Sequence, residues 1–117
     1  TWPDPTLRWP LGLQDGDAEA AVDLDGFLRL PRAVWVGERD HGADEFLRSD
    51  AVVTALQGPH RIERARRWCA AVDAAAAARG IEGSTALHLV PRAAHSFATC
   101  ARCGGLARDV IAFFDAR

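Results

Sequence analysis

Two short runs without polar alternation constrain the fold more than anything else in this chain. Ala33-Val34-Trp35-Val36-Gly37 and Thr85-Ala86-Leu87-His88-Leu89-Val90 are apolar almost throughout. Runs of this length, bounded by Pro, Gly and charged residues, predict strands buried on both faces, as in a parallel sheet. Between them, Ile62, Ala65, Cys69, Val72 and Ala76 recur at spacings of three and four, so His60–Arg79 predicts an amphipathic helix. A strand, helix, strand, helix order implies parallel strands with a right-handed crossover. Two parallel strands make a poor sheet by themselves, because parallel sheets need covered faces and neighbours on each side. At least one edge is therefore expected to pair with strands outside this chain, since an open apolar edge invites aggregation.

The rest of the chain fits around that unit. Residues 1–22 hold Trp2-Pro3, Trp9-Pro10 and Asp15-Gly16-Asp17, a composition that predicts an irregular, extended segment draped over another surface. A short helix is expected from about Asp23 to Arg29, with Leu24, Phe27 and Leu28 facing inward. Residues 38–58 read as loop, with one helical turn around Asp44–Arg48. Gly80 is positioned to end the long helix. Leu106–Ala116 predicts a last helix, with Leu106, Val110, Ile111, Phe113 and Phe114 on one face. Arg61, Arg64, Arg66 and Arg67 read as a solvated helix face rather than a grip on an anionic partner.

The bulk properties exclude several classes. At 117 residues, 49% apolar and 26% charged, the chain is one globular domain at most. A net charge of -2 argues against a nucleic-acid partner. No apolar run approaches the roughly 20 residues of a membrane-spanning helix, and no segment has the pattern of a signal peptide. The sequence contains no Met, so it is expected to be part of a longer or processed product. Three cysteines, Cys69, Cys100 and Cys103, make an odd count that favours a reducing, cytoplasmic setting over a disulfide framework. Abundant Ala and Arg suggest a GC-rich bacterial gene.

Chemistry-bearing residues sit just past the two strands. Asp40 follows Gly37 by three residues, and His95 follows Val90 by five. In open α/β sheets, sites form beyond the C-terminal ends of the strands, so both residues face the same edge. A histidine base needs a carboxylate to fix its tautomer. Ala93 and Ala94 allow a tight turn before His95, and Phe97 can anchor that loop. Glu38, Asp44 and Asp50 compete with Asp40 for the acid role, Asp44 most seriously. His41 reads as a loop residue beside the site. The plainer readings are a turn residue for Asp40 and a loop histidine for His95. Ser96 is not expected to be a nucleophile, because a neighbouring side chain points away from the imidazole.

Cys100-Ala101-Arg102-Cys103 resembles half of a zinc knuckle or a redox pair. A second pair is absent, although His88 and His95 could complete a ligand set, and the plainer reading is small residues packed near the last helix. No metal and no cofactor are expected. Thr1 would be a rival nucleophile if self-cleavage had freed its amino group, but that class uses antiparallel strands.

Val34-Trp35-Val36-Gly37-Glu38-Arg39-Asp40 and Leu89-Val90-Pro91-Arg92-Ala93-Ala94-His95-Ser96-Phe97 resemble the acid and histidine strands of the α/β-hydrolase family. Gly105–Phe114 is similar to that family's final helix. Trp2-Pro3-Asp4 and Trp9-Pro10-Leu11-Gly12-Leu13 resemble the segment after the sixth strand in bacterial esterase and depolymerase-like members. The resemblance implies an α/β fold in which residues 1–117 are the C-terminal portion of one hydrolase domain. It implies Asp40 as triad acid and His95 as triad base, acting on a carboxylic ester or amide. The family's order puts the nucleophile upstream, and no Gly-x-Ser-x-Gly elbow occurs in these residues. The implied partners are an N-terminal segment or companion chain carrying the nucleophile and a small ester or amide substrate, with homo-oligomers possible. The alternatives are a non-catalytic binding or assembly module on the same scaffold, and the Thr1 hydrolase.

Overall fold

The computed structural model describes residues 23–42 and 44–116. Its elements run α1 (Leu24–Arg29), β1 (Arg32–Gly37), α2 (Ala51–Gln57), α3 (Arg61–Ala77), β2 (Thr85–Val90), α4 (Phe97–Cys103) and α5 (Leu106–Asp115). The strands pair directly as a parallel two-stranded sheet flanked by helices, the α/β arrangement expected of part of a hydrolase sheet. The extended segment 1–22, with Thr1, Trp2 and Trp9, lies outside the described residues. Among the described residues, no helix is long and apolar enough to cross a membrane.

Two helices lie where loop was expected. Asp50 starts α2 by accepting the backbone N–H of Val53 on its side chain at 3.0 Å. Gly58 ends it at φ 108°, a conformation that β-carbon-bearing residues avoid. Ser96 caps α4 in the same way, accepting from the N–H of Thr99 at 3.3 Å. Cys100 and Cys103 therefore belong to a helix of their own, just ahead of the last one. Phe97 does not anchor the loop: it opens α4 largely exposed.

The chain divides into two compact units. In the first, residues 23–32 and 68–85, Leu28, Val72, Ala75, Ala76 and Ile81 form the buried core. Leu24, Phe27 and Trp68 pack against it. The end of α3 explains how Ile81 arrives there. The N–H of Ile81 reaches the carbonyl of Ala76, and that of Gly80 reaches Ala77, with Gly80 at φ 63°. This paired closure turns the chain and seats Ile81 against Ala76. Arg32 is buried among the last carbonyls of α1, donating to Leu28 and to Leu30 (2.9 Å). It also donates to the hydroxyl of Thr85 at 3.0 Å. Asp73 completes the group by accepting both the N–H and the hydroxyl of Thr85 at 2.8 Å.

In the second unit, residues 33–42, 44–67 and 86–116, Val90, Ala93 and Cys100 are buried, with Trp35 and Leu106 packed on them. Trp35 stacks on His88 and meets Phe113 edge-on. The strands are less enclosed than expected. Ala33 to Val36 are half-buried, and His88 and Leu89 are exposed. A sheet of two strands leaves each with one unpaired side among the described residues, which accounts for this exposure. The apolar face of α5 is also split: Leu106, Val110 and Phe113 are half-buried, but Ile111 and Phe114 are exposed.

Candidate active site

The two strand ends are stitched together by their backbones. Past β1, the N–H of Glu38 donates to Val90 at 2.9 Å and that of Arg39 to Ala93 at 2.8 Å. The N–H of Asp40 folds back on Gly37 at 3.0 Å, closing a tight turn that presents the Asp40 side chain inward. Past β2, Pro91 and Arg92 form the centre of a turn closed by Ala93 on Val90 at 3.4 Å. Arg92 has φ 62°, so the pattern is that of a type II turn, whose third position usually holds glycine. Two contacts hold Arg92 there. Its N–H donates to the Glu38 carboxylate at 2.9 Å, and its guanidinium donates to the Cys103 carbonyl at 3.2 Å.

This stitching brings Asp40 and His95 together across 55 residues of sequence, with His95 Nδ1 2.9 Å from Asp40 Oδ2. Asp40 is buried, whereas the His95 side chain is 58% exposed. With Asp40 ionised and His95 neutral, Nδ1 carries the proton and Nε2 is left as an acceptor. The pair is thus a desolvated acid beneath a reachable base.

The other oxygen of Asp40 meets a cation. Arg61 Nη1 lies 3.3 Å from Asp40 Oδ1 and 2.8 Å from Asp44 Oδ2. Its Nη2 lies 2.9 Å from Asp44 Oδ1, so Asp44 holds the guanidinium by both nitrogens. The Arg61 hydrogen bonds hold the Asp44 carboxyl at a pKa of about 2, below its usual 3.8. Asp44, and then Asp40, raise the pKa of Arg61 in return. Asp44 is thereby occupied by Arg61, and Asp40 is the carboxylate on the imidazole.

The remaining sequence candidates separate. Glu38 serves Arg92, Asp50 caps α2, Ser96 caps α4, and His41 is exposed. Cys100 is buried with its sulfur 3.8 Å from the Ala94 carbonyl, and Cys103 is exposed. Among the described residues, no three His, Cys, Asp or Glu side chains gather as a metal site. Arg61 is the residue that sequence reasoning missed. It does not join a solvated face; its side chain is only 14% exposed. Arg64 donates to the carbonyls of Gly58 (2.9 Å) and Arg48 (2.6 Å), and Arg67 donates to Ala55 (3.1 Å). The spacing was the signal: positions 61, 64 and 67 share one helical face that Arg66 does not.

No protein-family model matches, and no curated protein matches. Solved structures do. The poly(3-hydroxybutyrate) depolymerase LpqC from Bordetella parapertussis is 30% identical, with a TM-score of 0.68 over 94% of this chain and 37% of its own. Poly(aspartic acid) hydrolase-1 from Sphingomonas sp. KT-1 is 25% identical, with a TM-score of 0.68 over 86% of this chain and 38% of its own. The chain is structurally related to these hydrolases and spans a little over a third of the length of each.

Proposed function

We propose that this chain is the acid- and base-bearing portion of a serine hydrolase of the α/β-hydrolase fold. The observation that carries the reading is the 2.9 Å contact between buried Asp40 and exposed His95. In this reading the nucleophilic serine comes from another segment or a companion chain. His95 Nε2 accepts the serine proton as the hydroxyl attacks a carbonyl, and returns it to the departing alcohol or amine. Asp40 does not take up that proton. It orients the ring and stabilises the imidazolium that forms.

The substrate class is a carboxylic ester or amide. The two structural neighbours are named for poly(3-hydroxybutyrate), whose links are esters, and poly(aspartic acid), whose links are amides. Both links yield to the same acyl-enzyme chemistry, so the choice between them lies outside Asp40 and His95.

The test is hydrolysis of p-nitrophenyl butyrate by the protein as purified, with His95→Ala and Asp40→Asn beside it. The reading expects His95→Ala to lower kcat at least a thousandfold, and Asp40→Asn to do so by a similar order. Unchanged hydrolysis in His95→Ala would sink it.

A further inference from the structure

A triad acid holds the histidine through one carboxylate oxygen, which leaves the other for a second partner. Here the second oxygen of Asp40 faces a guanidinium at 3.3 Å. That guanidinium comes from α3, and its aim is set from outside by Asp44, which takes both terminal nitrogens at 2.8 and 2.9 Å. The cation is largely buried, Asp40 more so, and Asp44 is open to solvent. The geometry therefore forms a relay running from the surface to the buried acid.

We infer that Arg61, aimed by Asp44, is a positioning residue that holds the Asp40 carboxylate turned toward His95 and sets how readily His95 takes a proton. The inference rests on the reading of Asp40 and His95 as acid and base. Its physics is simple. A positive charge beside Asp40 offsets part of the negative charge that Asp40 presents to the imidazole. Asp44 in turn offsets part of Arg61. In this network Asp40 meets the imidazole directly, Arg61 meets Asp40, and Asp44 meets Arg61. Glu38 and Arg92, on the flanking turns, are engaged with their own partners.

Two substitutions then have opposite signs. Arg61→Gln removes the cation and leaves Asp44 uncompensated, which raises the affinity of His95 for a proton. Asp44→Asn leaves Arg61 uncompensated and lowers it. A purely structural role for Arg61 would give loss of stability with no such reversal.

The experiment is an NMR titration of the His95 imidazole in the intact protein, with the pH profile of kcat/KM for p-nitrophenyl butyrate measured alongside. Arg61→Gln should shift the His95 midpoint up, and Asp44→Asn should shift it down, each roughly three- to tenfold in proton affinity. The acid limb of kcat/KM should move with it. Arg61→Lys keeps the charge but loses the fork, and should hold the midpoint near that of the parent while lowering kcat. Shifts of the same sign in Arg61→Gln and Asp44→Asn, or no shift in either, would overturn the inference. If Arg61→Gln does not fold, Asp44→Asn and Arg61→Lys decide it alone. Failure of the hydrolase reading is distinguishable: His95→Ala would keep its activity, while the imidazole midpoints would still move.

Discussion

A β-carbon on Gly37 would stand 2.4 Å from the Ala94 carbonyl oxygen and 2.5 Å from that of Ala93. The last residue of β1 thus runs under the backbone that leads to His95, closer than any side chain allows. Glycine is required at this position by space alone.

Gly37→Ala should therefore force the two loops apart. Its cost should be about 3 kcal/mol, the upper end for overpacking against rigid backbone. Because the displaced backbone carries His95, the proposed hydrolase activity should fall by about a hundredfold as well. Urea denaturation and p-nitrophenyl butyrate turnover check the two effects separately. A stable variant with full activity would show that the loops yield without consequence.

Arg92 offers the opposite case. Its left-handed backbone costs about 1–2 kcal/mol for a residue with a side chain, and its guanidinium contact with Cys103 is exposed. Arg92→Gly should relieve most of that strain, against a larger loss of unfolded-chain freedom. A net gain of up to about 1 kcal/mol is expected, read as a higher urea midpoint at unchanged slope.

The Arg61–Asp44 pair predicts a pH dependence. The folded pKa of Asp44 lies at about 2, below the ordinary 3.8. The unfolded chain takes up this proton first, so the pair's contribution is fully present above 3.8 and is lost as pH falls toward 2. Asp44 is exposed, so the contribution is modest and weakens with salt. In Arg61→Gln the Asp44 carboxyl should titrate higher than in the parent, toward the ordinary 3.8, as followed by its carbon chemical shift, and the pH dependence of stability in that window should weaken.

The thiols should divide by exposure. Cys103 is exposed, while Cys69 and Cys100 are buried, and burial pushes the Cys69 thiol up. Reaction with a disulfide reagent should consume Cys103 quickly in the native protein and all three only in denaturant. Peptide mapping after a brief pulse identifies which has reacted. Fast labelling of Cys100 would show that α4 opens readily.

Much of this architecture was legible in the residues. The second strand begins at Thr85 and ends at Val90, where the apolar run meets Pro91. The first begins one residue earlier than its apolar run, at Arg32, because that charged side chain is buried against α1 carbonyls. The nearness of Asp40 and His95 was legible from strand ends alone, since parallel strands deliver their following loops to one edge. Helices α2 and α4 were not legible, because seven residues make too few turns to show a periodic stripe. Their caps, Asp50 and Ser96, were the available signals. Arg61 was hidden for another reason. Helical spacing tells which way an arginine leaves the helix, but not which carboxylates fold back to meet it.

The backbone bonds from Glu38 to Val90 and from Arg39 to Ala93 give the acid and the histidine a shared frame. Their separation is then a property of one strand pair. A hydroxyl approaching from elsewhere would have a single distance to satisfy, to His95 Nε2, instead of helping to assemble three groups at once. In the proposed hydrolase, the entropy of organising the base and its carboxylate is met during folding, and none of it falls on the encounter with substrate.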